Sequence, residues 1–258
     1  NFIWIRSRVW AFLVILSLAV TGCAGPQNLS GQPAPAADRL PGNYILKLPA
    51  GTGPFPAVII MHSCAGINRL ERDGAERLTG WGYATLMVDS FGPRGFKEVC
   101  DKVDAVTLKQ RAGDAVAAAE YLKRQTFIRP DSLGIIGYSH GGSTVLQVVQ
   151  SEEAARLFRA AVSYYPRCFS HLDRVAAPLL ILIGDKDDWT PSSLCQDLVA
   201  KLIQPELVTL KVYPGAYHVF DVQRKAIDYL HHHLEYNQAA AEDAIPRTRE
   251  FFDRYLKK

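Results

Sequence analysis

The chain has 258 residues, of which 48% are hydrophobic and 21% charged, and its formal net charge is +3. This length is sufficient for one large α/β domain with a buried core. Glycine and proline number only 19 and 15, which together with the modest charge excludes collagen-like, coiled-coil and wholly disordered chains. The small net charge gives no electrostatic basis for a nucleic-acid partner.

Residues 1–22 have the pattern of a signal peptide. They contain two arginines and no acidic residue, and an apolar segment follows that is shorter than the ~20 residues of a membrane-spanning helix. The segment ends in the sequence VTGC, which resembles a bacterial lipobox. The resemblance implies cleavage before Cys23 and lipidation of its thiol, with an ordinary cleaved signal peptide or an uncleaved anchor as alternatives.

Each of these alternatives places the domain outside the cytoplasm. Ala24 follows the cysteine, so the aspartate that retains lipoproteins in the inner membrane is absent. Residues 23–41 are rich in Pro, Gly, Ala and Gln, and they predict a flexible tether. We expect a domain over residues 42–258 that faces the periplasm and is held to the membrane by an N-terminal lipid.

From residue 42 onward, apolar strand-like segments alternate with helix-like segments. Continuous apolar runs, which are typical of strands buried on both faces of a parallel sheet, predict strands over residues 44–48, 57–61, 83–88, 133–137, 160–164, 179–183 and 208–213. Turn-forming residues at 50–54 predict an antiparallel hairpin between the first two strands.

Helices are predicted over residues 67–78, 104–125, 143–150, 192–203 and 237–256, with a kink or break at Pro246. The alternation predicts a doubly wound α/β fold, with a mostly parallel sheet of about seven or eight strands and helices on both faces.

The segment GIIGYSHGG contains a G-x-S-x-G motif, with Ser139 at its centre, between a predicted strand and a predicted helix. A sharp turn there would expose the serine hydroxyl, and Gly137 and Gly141 would remove side chains that collide across the turn. The N-terminus of the helix supplies backbone N–H groups for a developing oxyanion. The alternative is a structural glycine-rich turn.

A serine nucleophile requires a base and an acid that orients the base. Two later strands end in the segments GDKDDWTP and PGAYH, which carry candidate aspartates and His218. The order serine, acid, histidine is the one that α/β-hydrolases use, and the ends of parallel strands are where such sheets build their sites. A buried core histidine is the alternative for His218.

The chain resembles the dienelactone hydrolase family of α/β-hydrolases over nearly all of residues 42–256. Four segments carry the resemblance: VIIMHSCAG, GYSHGG, GDKDDWTP and YPGAYH. It implies Ser139 as the nucleophile, Asp187 as the acid, His218 as the base, and the backbone N–H groups of Cys64 and His140 as the oxyanion hole. Asp185 and Asp188 share the loop of Asp187, but the spacing of Asp187 from Gly184 and Pro191 matches the family.

Two residues depart from the family pattern. Dienelactone hydrolase itself has a cysteine nucleophile where this chain has Ser139, and a glutamate where this chain has Ser63. The resemblance therefore implies a serine esterase, and dienelactone is not expected as its substrate. Arg94 resembles an arginine that meets a substrate carboxylate in the family, although its offset is one residue longer.

The combined pattern predicts a serine hydrolase that cleaves a small-molecule ester through an acyl-enzyme, with no cofactor and no metal. A non-catalytic envelope lipoprotein that uses the fold for binding is one alternative, and a hydrolase of thioesters or peptides is another. Tyr164, Tyr165 and Trp189 are candidate pocket residues. The run of three histidines at 231–233, taken as part of a helix, is predicted to be solvated surface rather than a metal site.

Without Cys23 the chain has four cysteines, at positions 64, 100, 168 and 195. An even number in an oxidising compartment favours two disulfides, for which three pairings exist, against four free thiols. The spacings match no zinc pattern. We favour Cys64 with Cys100 and Cys168 with Cys195, as pairs that join loops from neighbouring strands.

Overall fold

The computed structural model describes residues 41–169 and 173–258. The predicted signal peptide, Cys23 and the predicted tether up to residue 40 lie outside the described residues. From residue 41 onward the chain belongs to one compact unit, Ala37–Lys258. None of the described helices is both long enough and apolar enough to span a bilayer.

The elements alternate along the chain as predicted for an α/β fold. The strands are β1 (Tyr44–Lys47), β2 (Phe55–Met61), β3 (Ala84–Val88), β4 (Ile128–Tyr138), β5 (Ala160–Tyr164), β6 (Leu179–Gly184), β7 (Val208–Tyr213), β8 (Ile227–Tyr229) and β9 (His232–Leu234). The helices are α1 (Arg69–Gly80), α2 (Leu108–Lys123), α3 (His140–Gln150), α4 (Glu152–Ala155), α5 (Ser192–Lys201) and α6 (Gln238–Leu256).

Seven of these strands form one sheet in the order β1-β3-β2-β4-β5-β6-β7. All neighbours are parallel except β1, which pairs antiparallel with β3 and sets Tyr44 opposite Val88. The predicted hairpin between β1 and β2 is therefore wrong. β2 already has parallel partners on both sides, β3 and β4, so β1 takes the free edge of β3.

The helices cover the sheet and bury its central strands, and the mostly parallel fold predicted from the apolar runs is confirmed. Of the kink or break predicted at Pro246, the break is wrong, because α6 runs without interruption from Gln238 to Leu256. A proline lacks one helical N–H, but packing holds this helix in place. Phe252 and Leu256 are fully buried against β4 at Gly134, where a Cβ would lie 2.9 Å from both side chains.

The three-histidine run lies in a hairpin and not in a helix. β8 and β9 pair antiparallel outside the main sheet, with Tyr229 opposite His232. The two residues of the turn, Leu230 and His231, have φ of 49° and 66°, as a tight turn of the type favoured in hairpins requires. His231 is exposed, whereas His232 and His233 are half-buried, so the prediction of a solvated surface holds only in part.

Candidate active site

Ser139 occupies a strained turn between β4 and α3. Its φ of 53° and ψ of −115° lie in a region that residues other than glycine rarely adopt, and such strain concentrates at functional sites. The turn is possible because glycines flank it: a Cβ at Gly137 would collide with the carbonyl oxygen of Gly141, and one at Gly141 with that of Met61. The sharp turn leaves the Ser139 hydroxyl at the carboxyl edge of the sheet.

The structure brings together the side chains of Ser139, His218 and Asp187. The Ser139 hydroxyl lies 3.0 Å from Nε2 of His218, and Nδ1 of His218 lies 2.7 Å from Oδ2 of Asp187. The three residues follow β4, β7 and β6 respectively. Because the carboxyl ends of parallel strands meet at one edge of the sheet, residues distant in sequence converge there.

The Asp187 carboxylate is held by its own loop. Oδ1 accepts the backbone N–H groups of Trp189, at 3.0 Å, and Thr190, at 2.7 Å. The Thr190 hydroxyl donates to Oδ2 at 2.8 Å. These hydrogen bonds fix the direction of the carboxylate, so that Oδ2 faces the imidazole of His218.

The other two aspartates of the loop have different partners. Asp185 accepts the N–H of Gly215 at 2.7 Å, and Asp188 lies 3.4 Å from Nδ1 of His232. The loop therefore presents Asp187 alone, of its three carboxylates, to His218.

Two aromatic rings flank the imidazole of His218, which is buried. The Tyr165 ring meets it edge-on at a centroid distance of 4.8 Å, and the Trp189 ring lies 5.3 Å away. Tyr165 is anchored from behind, because its hydroxyl donates to the buried carboxylate of Asp221 at 2.9 Å. The imidazole is thus held by packing on two sides and by hydrogen bonds at both ring nitrogens.

The loop that contains Cys64, between β2 and α1, is fixed by a buried carboxylate. Oε1 of Glu71 accepts the N–H of Ser63, and Oε2 accepts the N–H of Asn68, both at 2.9 Å. Asn68 in turn caps α1 by accepting the N–H of Leu70, so the loop and the helix share one capping box. Cys64 and His140, the predicted sources of oxyanion N–H groups, both line cavities next to Ser139.

Both predicted disulfides are confirmed. Cys64 is bonded to Cys100, and Cys168 to Cys195. The first pair joins the loops after β2 and β3, which are neighbouring strands; the second joins the loop after β5 to helix α5. The Cys64–Cys100 bond ties the loop beside Ser139 to the next loop along the same edge.

Arg111 of α2 is a fully buried arginine that contacts both segments of the predicted oxyanion hole. Its Nη2 donates to the carbonyl oxygen of His62 at 2.6 Å, two residues before Cys64. Its Nη1 lies 2.7 Å from Nδ1 of His140. The Phe91 ring covers the guanidinium at 5.0 Å, which adds a cation–π contact.

Burial and the Arg111 charge set the protonation of the neighbouring histidines. Burial, reinforced by the positive guanidinium, lowers the pKa of His140 to about 3 and the pKa of His62 well below its ordinary value. Burial also lowers the pKa of Arg111 to about 9, which leaves it protonated at neutral pH. Nδ1 of neutral His140 therefore accepts the hydrogen bond that Arg111 donates.

Arg94 pairs with an acidic residue of the chain itself. Its guanidinium forms a bidentate pair with Asp114, at 2.7 and 2.8 Å, and it lines neither cavity beside the serine. The structure thus gives Arg94 a partner within the chain, and its contact with a substrate carboxylate stays a prediction. Tyr164 and Tyr165 are buried in the core and line neither cavity, whereas Trp189 lines both.

Two cavities meet at Ser139 and share Cys64 and Trp189 in their walls. The first, of about 460 Å³, we name the apolar cavity; its wall includes His218, Val219, Val222, Ile227, Tyr229 and Leu234. The second, of about 450 Å³, we name the polar cavity; its wall includes Asp104, His140, Ser143, Arg167, Thr190 and Leu194. Among the residues that the structure describes, no group of three or more His, Cys, Asp or Glu side chains could hold a metal ion.

The sequence patterns missed Glu71, Thr190 and Arg111 as supports of the site. Glu71 had a usable signal, because the spacing of Asn68 and Glu71 is that of a capping box. Thr190 lies within the segment that carried the resemblance. Arg111 had no signal, since a charged residue within a predicted helix is normally solvated.

Comparison with known proteins gives results consistent with this geometry. A family model, the dienelactone hydrolase family, matches residues 43–256. A Bradyrhizobium protein named as a 2-oxo-3-(5-oxofuran-2-ylidene)propanoate lactonase is 32% identical over 68% of this chain and 77% of its own length. A Synechocystis protein named as a carboxymethylenebutenolidase is 23% identical over 81% of this chain and 90% of its own length.

Solved structures share the fold. A Klebsiella pneumoniae crystal structure, named as a dienelactone hydrolase, superposes with a TM-score of 0.68 at 21% identity, covering 82% of this chain and 99% of that one. The crystal structure of a phosphotriesterase from metagenomic libraries, described as dienelactone hydrolase-like, has a TM-score of 0.67 at 16% identity. The match covers 83% of this chain and 100% of that one. The chain therefore belongs to the dienelactone hydrolase family and is a hydrolase with the α/β-hydrolase fold.

Proposed function

We propose that the chain hydrolyses a small carboxylic ester through an acyl-enzyme formed on Ser139. The observation that carries the proposal is the hydrogen-bonded series from Ser139 through His218 to Asp187, at 3.0 and 2.7 Å. In the first step the serine oxygen attacks the ester carbonyl carbon while Nε2 of His218 takes its proton. Asp187 holds Nδ1–H and stabilises the imidazolium.

The negative oxygen of the tetrahedral intermediate requires donors that are already in place. The backbone N–H groups of His140 and Cys64 are assigned this role. His140 opens α3, so its N–H group lies at the positive end of the helix dipole. Collapse of the intermediate breaks the bond to the alcohol oxygen, which takes the proton from His218. A water molecule then releases the acid by the same steps, with His218 again as base.

The test is covalent labelling by a fluorophosphonate probe. Wild-type protein is expected to label with one equivalent, and Ser139→Ala to remain unlabelled, because the probe requires an activated serine. Absence of wild-type labelling, or equal labelling of the variant, would contradict the proposal. A panel of oxygen esters, thioesters and peptides then distinguishes an esterase from the two other acyl-transfer activities.

Names of relatives support an ester as the substrate class. The Bradyrhizobium protein is named as a lactonase, and a lactone is a cyclic ester that opens by the same acyl transfer. This chain is assigned linear or cyclic esters of small acids, and release of nitrophenol from nitrophenyl acetate gives the direct assay.

The location of the enzyme is proposed on sequence grounds. The signal-peptide pattern of residues 1–22 and the VTGC sequence support export and lipidation at Cys23. The two disulfides add support, because such bonds persist in oxidising compartments. Metabolic labelling with a radioactive fatty acid is expected to mark the wild-type chain in bacterial cells and not Cys23→Ala; equal labelling of both would contradict lipidation.

A further inference from the structure

The two cavities at Ser139 differ in their relation to the catalytic groups. His218 lines the apolar cavity and not the polar one, whereas His140 lines the polar cavity and not the apolar one. Ser139, Cys64 and Trp189 line both. An ester bound at Ser139 therefore has two distinct spaces for its two halves.

The proton that leaves Ser139 must reach the alcohol oxygen of the ester. Nε2 of His218 carries this proton, so the alcohol oxygen has to come within hydrogen-bond distance of that nitrogen before its bond to carbon breaks. This requirement places the alcohol half on the His218 side of the serine. The space available on that side is the apolar cavity.

Once the alcohol half has been placed, the position of the acyl half follows from the four bonds of the reacting carbon. The tetrahedral carbon bonds the Ser139 oxygen, the oxyanion, the alcohol oxygen and the acyl chain. With the oxyanion at the backbone N–H groups of Cys64 and His140, and the alcohol beside His218, the acyl chain points toward the polar cavity.

The walls of the two cavities suit different chemical groups. In the apolar cavity, apolar atoms form most of the wall, with contributions from Val219, Val222, Ile227, Tyr229 and Leu234, although Asn68, Arg69, Gln223 and Arg224 also line it. A mainly apolar wall favours alkyl or aryl groups. The polar cavity has a mixed wall, in which Ser143, Asp104 and Arg167 lie beside apolar residues such as Leu108 and Phe169. The Arg167 side chain is exposed.

We infer that the apolar cavity receives the alcohol half of the substrate and the polar cavity the acyl half. The substrate class is then an ester of an apolar alkyl or aryl alcohol with a short acid that carries hydrogen-bonding groups. This assignment rests on the proposed acyl-enzyme mechanism, and it gives the β8–β9 hairpin a role in selecting the alcohol, since Ile227 and Tyr229 belong to it.

The test varies the two halves of the ester independently. One series keeps acetate as the acid and lengthens the alcohol from methyl to octyl; the other keeps nitrophenol as the alcohol and lengthens the acid from acetate to octanoate. Ile227→Trp narrows the apolar cavity and Leu194→Trp narrows the polar cavity. Both wild-type side chains are exposed, at 39% and 40%, so neither substitution disturbs the core.

Ile227→Trp is expected to lower kcat/KM for octyl acetate relative to methyl acetate by about tenfold or more, the effect of a few methylenes that no longer fit. In the acid series, the ratio of kcat/KM for the octanoate ester to kcat/KM for the acetate ester is expected to match that of the wild type. Leu194→Trp is expected to show the opposite pattern. Ile203→Trp, at a position 64% exposed that lines neither cavity, is the matched control and leaves both ratios unchanged.

Val222→Phe provides a second variant of the apolar cavity. Fluorophosphonate labelling of each variant reports an intact active site. Two outcomes overturn the assignment of the cavities while leaving the acyl-enzyme mechanism standing. In one, the variants are labelled but Ile227→Trp changes the preference in the acid series and Leu194→Trp the preference in the alcohol series. In the other, Ile227→Trp and Val222→Phe are labelled but change the kcat/KM ratio of neither series. Absence of labelling in the wild type overturns the acyl-enzyme mechanism and this assignment with it.

Discussion

Arg111 and His140 are joined by a hydrogen bond of 2.7 Å between Nη1 and Nδ1 in the interior of the protein. The same guanidinium donates to the carbonyl oxygen of His62. One buried cation therefore connects the segment after β2 with the first residue of α3, and these are the two segments assigned to the oxyanion hole.

Replacement of Arg111 is expected to change the titration of His140 as well as the rate. Burial is the main cause of the low His140 pKa, and the Arg111 charge adds to it. In Arg111→Met the pKa is expected to rise from about 3 while staying below its ordinary value, because the burial remains. Arg111→Lys keeps the charge and is expected to keep the pKa near that of the wild type.

The measurement is an NMR titration of the histidine ring nitrogens, combined with steady-state kinetics. Because the loss falls on transition-state stabilisation, kcat is expected to fall by about tenfold or more in Arg111→Met with little change in KM. Lysine is expected to restore part of kcat. An unchanged His140 pKa in Arg111→Met would show that the guanidinium does not control this ring.

Asp187→Asn is expected to lower kcat by about 10⁴-fold, because an amide cannot hold His218 in the tautomer that accepts the serine proton. The loop supplies its own control: Asp185→Asn, whose side-chain oxygen can still accept the N–H of Gly215, is expected to stay within a few fold of the wild type. Nitrophenyl acetate hydrolysis measures both. Similar losses of kcat in Asp187→Asn and Asp185→Asn would contradict the assignment of Asp187 as the acid that orients His218.

Loss of either disulfide is expected to destabilise the fold by about 3 to 4 kcal/mol, from the entropy of closing loops of this size. The sequence separations are 36 and 27 residues. Only the Cys64/Cys100 double serine variant is expected also to lower kcat by about tenfold, because this bond tethers the loop whose backbone N–H is proposed for the oxyanion hole. Urea unfolding and kinetics of the two double variants test this, and an equal kcat in both would contradict it.

Asp221 is expected to make stability fall as pH rises. Burial raises the pKa of its carboxyl above 3.8, so the folded chain binds this proton more tightly than the unfolded chain does. The stabilisation is complete below the unfolded-state pKa and is lost as pH rises through the folded-state pKa. Asp221→Asn keeps an oxygen that can accept from Tyr165 and does not titrate.

The difference in free energy of unfolding between wild type and Asp221→Asn is therefore expected to decrease as pH increases from about 4. Urea unfolding of both proteins at a series of pH values measures this difference, and effects of the other carboxylates cancel in it. A difference that does not change with pH would contradict the raised pKa.

Features encoded locally could be predicted from the sequence. The seven strands of the main sheet are apolar runs bounded by turn residues, and Ser139 lies in a glycine-flanked turn. The partner of β1 could not be predicted in this way, because it depends on which strands already flank β2. The β8–β9 hairpin was missed since its strands have three residues each and no apolar run.

The sequence also could not show which charged residues are buried or paired within the fold. Arg111 lies in an otherwise ordinary helix, and its burial depends on a carbonyl group 49 residues earlier in the chain. No pattern within α2 contains that information. Arg94 shows the reverse: resemblance pointed it toward a substrate, but Asp114, 20 residues later, accepts hydrogen bonds from both of its terminal nitrogens.

The β8–β9 hairpin supplies wall residues to the apolar cavity but none of the residues assigned to acyl transfer. Its strands lie outside the main sheet, whereas Ser139, Asp187 and His218 follow strands within it. Substitutions at Ile227 are therefore expected to alter which alcohols are accepted, whereas Leu234, which forms a bridge with His218, and His232, which stacks on Trp189, are expected to affect the hydrolytic step as well. A library randomised at two hairpin residues that line the apolar cavity, Ile227 and Tyr229, is therefore expected to change ester preference with little change to the sheet that holds Ser139, Asp187 and His218.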